Sequence, residues 1–305
     1  MTIRFDGRVA IVTGAGQGLG RRYALDLAAR GAFVVVNDVG SSASGEGSSP
    51  DAAMAVADEI RRSGGRAIAN SASVATAAGA RDLVGAALSG FGTVDILINN
   101  AGISRDRRFV DMTEEDFRAL LDVHVLGAFH CSKAVWPLMM SRQYGRIVMT
   151  TSASGLYGME THANYSTVKA ALVGLTHALS LEGRPDHILV NAVSPMARTR
   201  MSEAFLTPEM KERLDPAWVS ALVLWYCAEQ CELSDEIVHC GMGYFAKVAM
   251  VEAQGHVVDG PVVTPEYVRD HFRLIADLTG ARTYASAVEY SQMVATLTSG
   301  PRRPQ

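Results

Sequence analysis

The sequence predicts an α/β fold in which a parallel sheet is covered by helices on both faces. Three observations carry that prediction. Short apolar runs alternate with amphipathic segments, the glycine-rich turn TGAGQGLG joins the first run to the first amphipathic segment, and no apolar run approaches the ~20 residues of a membrane span. Parallel strands need crossovers long enough for a helix, and the alternation supplies one each time.

The first strand is expected over Val9–Thr13 and the first helix over residues 18–30. Phe33–Asn37 follows as a strand, AAMAVADEIRRSGG as a helix, 67–70 as a strand, 78–91 as a helix and Ile96–Asn99 as a strand. A long helix begins after Met112, where Thr113 with Asp116 three residues on fits an N-cap and a weak acidic capping box. Strands recur at 147–151 and 189–193. After Gly243 the alternation fades: YFAKVAMVEAQGHVVDG reads as a strand or hairpin, 264–278 as a capped helix, and TSGPRRPQ as a loose end. Residues 1–248 are therefore expected to form one catalytic domain, with 249–305 a C-terminal helical extension packed on it.

The 305 residues are 48% hydrophobic and 20% charged, a globular composition. A net charge of -4 offers no basic field for nucleic acid or an anionic membrane, so neither is an expected partner. No signal-like segment precedes the first strand, so a cytoplasmic protein is expected. Cys131, Cys227, Cys231 and Cys240 show no CxxC pairing and read as buried thiols, with no metal site expected. The tract GSSASGEGSSP at 40–50 is too polar for core and reads as a flexible surface excursion.

The turn after the first strand places glycines at 14, 16, 18 and 20, opening directly into a helix. Such a turn lets backbone approach a pyrophosphate while the helix N-terminus supplies free N–H groups and a positive dipole end. FVVVND ends on Asp38, 24 residues after Gly14, where a carboxylate can accept the hydroxyls of an adenosine ribose. The same carboxylate repels a 2'-phosphate, and the residue before Gly18 is the neutral Gln17, so NAD is expected rather than NADP. Arg21 and Arg22 follow the glycines within reach of a phosphate, while Tyr23, Leu25 and Leu27 read as structural.

In MTTSASGLYGMETHANYSTVKA, Ser152 ends a strand and Tyr165 and Lys169 lie one helical turn apart on one face. A phenol with its free pKa of ~10 is a poor base, but a neighbouring lysine and a positive nicotinamide both favour the phenolate. Ser152 can then hold the substrate oxygen. His124, in LLDVHVLGAFHCS, falls on the apolar face of its helix and reads as a core imidazole satisfied by nearby backbone.

TGAGQGLG, NNAG at 99–102, and Ser152 with Tyr165-x-x-x-Lys169 together resemble the short-chain dehydrogenase/reductase family. The resemblance implies a Rossmann-type doubly wound sheet of about seven parallel strands. It implies Tyr165 as general acid/base, Lys169 binding the nicotinamide ribose and lowering the tyrosine pKa, and Ser152 orienting a carbonyl or hydroxyl. It further implies cofactor contacts from Gly14, Gly16, Gln17, Gly18, Leu19, Gly20, Asp38, Ser73, Val74, Asn99, Ala101, Gly102, Tyr165 and Lys169. Weaker carry-overs are Pro195, Ala197 and Thr199, where the family's common Pro-Gly is Pro195-Met196.

RFDGRVAIVTGAGQGLGR, DEIRRSGGRAIAN, NNAGISRDRRF and LVLWYCAEQCE narrow the likeness to (3R)-hydroxyacyl-CoA dehydrogenase units of peroxisomal multifunctional enzymes and their bacterial stand-alone relatives. That group has histidine where many members carry a relay asparagine, which puts His124 at the relay position, where its backbone carbonyl is expected to matter more than its ring. PRRPQ is not a peroxisomal address. The substrate expected is an acyl-CoA thioester, with a steroid, free or CoA-linked, as the rival and a non-catalytic dinucleotide sensor as the remote one. Arg105, Arg107 or Arg108 is expected to meet the anionic part of CoA, and Tyr157 to line the substrate side. A homodimer or homotetramer is expected through the long helix after Thr113 and the Tyr165 helix, whose apolar positions include Val135, Trp136, Leu172 and Leu175.

Overall fold

The computed structural model describes residues 2–198, 207, 213–258 and 263–299 and divides into two compact units, Met1–Lys247 and Val248–Gln305. The strands are β1 (Val9–Thr13), β2 (Phe33–Asn37), β3 (Arg66–Asn70), β4 (Ile96–Asn99), β5 (Gly145–Thr150), β6 (Ile188–Pro195), β7 (Ile237–Gly241) and β8 (Tyr244–Val248). They form one sheet in the order β3-β2-β1-β4-β5-β6-β7-β8, and β1 to β7 pair in parallel. Strand order reverses between β1 and β4, where Ile11 sits opposite both Val35 and Leu97. The crevice beyond the strand ends at that reversal is where an open α/β sheet binds its ligand.

The sheet is apolar on both faces because helices cover both. Val34 to Val36 and Ile96 to Ile98 are wholly buried, the pattern of a parallel sheet rather than of a half-exposed one. The seven parallel strands match the expected count of about seven, and an eighth strand extends the sheet. Met242 and Gly243, with φ of 55° and 79°, make a two-residue turn of the kind that folds a chain straight back on itself, so β8 joins as a hairpin.

The crossovers are α1 (Gly18–Ala29), α2 (Asp51–Arg62), α3 (Ala77–Phe91), α4 (Glu114–Leu120) with α5 (Gly127–Arg142), α6 (Ala153–Tyr157) with α7 (Ala163–Gly183), and α8 (Pro216–Cys227). Thr76 and Thr113 cap α3 and α4 by accepting from the Gly79 and Asp116 amides, as the Thr113 spacing predicts. The single long helix expected after Thr113 is interrupted. Leu121–Leu126 winds as a π-helix around His124, a widening common at functional sites.

Two expectations for surface packing fail. Val135 and Leu172 are buried within the chain, at 0% and 2% exposure, so they present nothing to a second copy. On the same helices Phe129, Met140 and Leu181 are the exposed apolar residues. The second unit holds α9 (Pro265–Ile275), capped by Thr264 as predicted, and α10 (Ala287–Ser299). Residues 300–305 and Thr199 lie outside the described residues. Among the described residues no helix is long and apolar enough to cross a membrane.

Candidate active site

The C-terminal ends of the strands open into a cleft of about 900 Å³, lined by the glycine turn, the ends of β2 to β6 and residues 41–48. Gly14 and Gly18 adopt φ of 63° and 54°, which glycine alone takes readily. A Cβ at Gly16 would meet Asp38 Oδ2 and Ala52 at 2.8 Å, and one at Gly20 would meet the Gly14 carbonyl at 2.2 Å. The turn is thus pressed against its neighbours, and whereas Gly16 and Gly20 are not in the cleft lining, Gly14, Gln17, Gly18 and Leu19 are. These residues fit the pyrophosphate of a dinucleotide.

Asp38 ends β2, and its carboxylate accepts from the Gly16 amide at 2.8 Å and the Gly40 amide at 2.7 Å. It therefore fixes the turn while facing the cleft. Arg21 and Arg22 do not: Glu59 holds the first at 2.6 Å and Asp26 the second at 2.7 Å, both away from the cleft lining. Ser73, Val74, Ala101, Gly102, Pro195 and Ala197 line the cleft as expected.

Asn99 departs from expectation. It is 7% exposed and donates to Ser132 Oγ and Met149 Sδ, beneath the cleft wall. The next residue lines the cleft instead: Asn100 Nδ2 donates to the Thr13 and Gly14 carbonyls, tying the end of β4 to the glycine turn. Strand alternation puts only one of the two asparagines toward the turn, and the sequence does not say which. The 40–50 tract is not a free excursion either. The Ser104 amide donates to the Ala43 carbonyl and Arg105 Nε to the Ser44 carbonyl, both at 2.9 Å, so the tract walls the cleft.

Ser152, Tyr165 and Lys169 converge on the cleft. Ser152 leaves β5 and caps α6 by accepting from the Ser154 amide, while Tyr165 and Lys169 share a face of α7. Lys169 is buried, donates Nζ to the Thr150 carbonyl at 2.6 Å, and lies 5.5 Å from the Tyr165 ring centre. Burial pulls its pKa down to about 7. Burial also pushes Tyr165 up to about 12, against the hydrogen bond with Ser152, while Asp106 adds to the rise. The expected lowering of the tyrosine by Lys169 is thus absent in the protein alone. Desolvation outweighs the Ser152 hydrogen bond, and the Lys169 ammonium is turned to the Thr150 carbonyl.

His124 is 2% exposed, and its Nε2 lies 3.1 Å from the Ile103 amide and 2.9 Å from the Ile103 carbonyl. The ring is satisfied by backbone there, as the sequence suggests, but Nδ1 has no partner among the described residues. Burial, with Lys169 nearby, drops its pKa to about 3, so it is a neutral imidazole standing edge-on to Tyr165. Of the arginines, Arg105 lines the cleft and contacts Asp116 at 3.6 Å, whereas Arg107 turns to Asp116 and neither Arg107 nor Arg108 lines it. Tyr157 is 74% exposed and outside the lining.

Residues 8–209 match the family profile described as short chain dehydrogenase. The chain belongs to the short-chain dehydrogenase family. It is an oxidoreductase acting on CH–OH groups. Peroxisomal multifunctional enzyme type 2 of Mus musculus is 45% identical over 281 residues, 92% of this chain but 38% of that protein. The chain thus spans well under half of this relative. A short-chain type dehydrogenase/reductase of Mycobacterium tuberculosis is 43% identical over 275 residues, covering 90% of this chain and 96% of the relative. A solved 7α-hydroxysteroid dehydrogenase, complexed with NADH and 7-oxo glycochenodeoxycholic acid, superposes with a TM-score of 0.71 at 31% identity over 79% of this chain and 95% of that one. The glycine turn and the cleft beside it are the parts of this chain that would hold a dinucleotide.

Proposed function

We propose that this short-chain dehydrogenase interconverts (3R)-3-hydroxyacyl-CoA and 3-ketoacyl-CoA with NAD(H). The observation that carries the cofactor choice is Asp38, whose carboxylate stands at the end of β2 in the cleft, beside the glycine turn. A fixed negative charge there accepts ribose hydroxyls and repels a 2'-phosphate. Substrate class rests on the 45% and 43% identity to a multifunctional enzyme and a stand-alone dehydrogenase, together with a cleft of about 900 Å³ that leaves room beside a dinucleotide turn.

The bound cofactor supplies the hydride acceptor or donor at its nicotinamide ring. The remaining work falls to side chains. Ser152 holds the substrate oxygen by hydrogen bonding, and Tyr165 takes the hydroxyl proton in oxidation or returns it in reduction. Lys169 holds the nicotinamide ribose and, once turned from the Thr150 carbonyl, stabilises the phenolate. The desolvation that keeps Tyr165 protonated would be opposed by the charge of an oxidised nicotinamide held beside Lys169. His124 and the π-helix form the floor under Tyr165.

A hydroxysteroid is the second reading, favoured by the likeness to the solved steroid enzyme. A panel of (3R)-3-hydroxybutyryl-CoA, longer 3-hydroxyacyl-CoAs and free hydroxysteroids, each with NAD and NADP, separates the two. Turnover of the free steroid and of no thioester overturns the acyl-CoA reading. The proposal includes a homodimer or homotetramer, assembled through the faces of α5 and α7 that carry Phe129, Met140 and Leu181 rather than Val135 and Leu172. Light scattering giving only a ~33 kDa species at micromolar concentration counts against it. It also places the protein in the cytosol, whereas the multifunctional relatives are named peroxisomal; subcellular fractionation decides between the two.

A further inference from the structure

The 40–50 tract is closed at both its base and its tip. The Ser49 amide donates to the Val39 carbonyl at 2.9 Å, joining the two arms one residue beyond Asp38. At the tip the Ser42 amide donates to the Glu46 carbonyl at 2.8 Å and the Glu46 amide to Ser42 Oγ at 3.0 Å, so 42–46 is a hydrogen-bonded turn rather than slack chain.

Sheet order shows what the tract crosses. β1 stands between β2 and β4, and the tract leaves the end of β2 while its tip docks on Ser104 and Arg105, which follow β4. It thus passes from one side of β1 to the other, across the strand end where the glycine turn begins, with Ser42, Ala43 and Gly45 in the cleft lining. The tip is seated closely, for a Cβ at Gly45 would lie 3.0 Å from Ile103 Cδ1. One of the bonds that seat it is a side-chain bond, from Arg105 Nε to the Ser44 carbonyl at 2.9 Å.

The rest of Arg105 is engaged as well. Nη1 lies 3.6 Å from Asp116 Oδ1, a carboxylate it shares with Arg107, and the Arg105 carbonyl accepts from Asn164 Nδ2 at 2.9 Å, which pins its backbone. An arginine with one donor on a carbonyl and a carboxylate behind it is placed to hold chain rather than to catch an anion.

We infer that Arg105 is a positioning residue for the cofactor: by holding the Ser44 carbonyl it keeps residues 41–48 as a roof over the dinucleotide at the glycine turn, and the phosphates of CoA are not its partner. This rests on the dinucleotide reading of the cleft, and it deepens it. A roof ordered before the ligand arrives has already lost the freedom that binding would otherwise remove, so releasing it weakens affinity while the glycine turn stays intact.

Two substitutions separate a latch from a charge. Glutamine carries its amide nitrogen as many bonds from the backbone as arginine carries Nε, so Arg105→Gln keeps a donor for Ser44 and loses the charge, whereas Arg105→Met loses both. The readouts are the Kd for NADH by fluorescence titration and the KM for (3R)-3-hydroxybutyryl-CoA at saturating NAD. The expected result is ~10-fold weaker NADH binding in the methionine variant, recovery to within about threefold of wild type in the glutamine variant, and a thioester KM within about threefold of wild type in both. Equal loss of NADH affinity in the two variants would make the charge the cofactor's partner and overturn the inference. So would a methionine variant that binds NADH within about twofold of wild type, or a thioester KM raised ~10-fold in both variants. Wild type that fails to bind NADH overturns the dinucleotide reading and this inference with it; wild type that binds NADH but leaves the thioester untouched overturns the acyl-CoA reading alone, and NADH binding by the variants then decides the inference.

Discussion

Gly20→Ala tests how tightly the cofactor turn is built. Gly20 lies in the first turn of α1, and a Cβ there would sit 2.2 Å from the Gly14 carbonyl oxygen, 2.6 Å from Asn100 Nδ2 and 2.9 Å from Ala15 Cα. Two of those atoms are backbone, so no flexible side chain can yield. Relief to an ordinary contact needs a displacement of about 1 Å, and overpacking of this kind costs about 1–3 kcal/mol. For a unit of this size that is a fall in Tm of about 2–10 °C. The displaced atoms belong to the turn proposed to hold the cofactor's phosphates, and losing one charge-assisted hydrogen bond there would weaken NADH binding ~10–100-fold. Fluorescence titration of NADH and a thermal scan read both effects. Gly85→Ala is the control: it lies inside α3 with no heavy atom within 4 Å of its Cβ, so it should raise Tm slightly and leave NADH affinity alone. Gly20→Ala protein that binds NADH within about twofold of wild type would refute the packing argument.

Asp38→Ser removes the charge at the end of β2 and should narrow the preference for NAD over NADP by ~10-fold or more, read from kcat/KM with each cofactor. An unaltered preference would show that Asp38 only braces the turn. Asn100→Ala should weaken NADH binding in the manner of Gly20→Ala, because the turn loses its tie to β4; unchanged affinity would show that this tie does not shape the cofactor turn. His124→Asn addresses acid stability. The imidazole has a pKa of 6.5 unfolded and about 3 folded, so the unfolded chain binds more protons between these values and wild-type stability falls as pH drops through that window. The asparagine variant should lose this component while keeping measurable turnover. A variant whose stability falls as steeply as wild type over that window contradicts the buried neutral assignment, and complete loss of activity shows that the ring itself takes part.

The sheet was legible because its strands are β-branched runs buried on both faces, and Val9–Thr13, Phe33–Asn37 and Ile96–Asn99 need no tertiary information to be seen. Capping was legible for the same local reason, as Thr113 and Thr264 show. What depended on distant contacts was not. Composition marks 40–50 as loop, but only Ser104 and Arg105, some sixty residues on, dock it against the cleft. Periodicity makes Leu121–Leu126 part of a long helix, and the π-widening around His124 has no composition of its own. The tyrosine-lysine pair is visible from spacing alone, yet the ionisation of Tyr165 follows from burial and from where Lys169 Nζ points.

The central claim is that Tyr165 moves the proton while NAD takes the hydride from a 3-hydroxyacyl thioester. It is tested most directly by the rate of NADH formation from (3R)-3-hydroxybutyryl-CoA in wild type and Tyr165→Phe, with NADH binding measured in both. The prediction is turnover by wild type, a loss of at least ~100-fold in the variant, and retained NADH binding. Equal rates in the two proteins, or no NADH from the thioester in wild type, would contradict it.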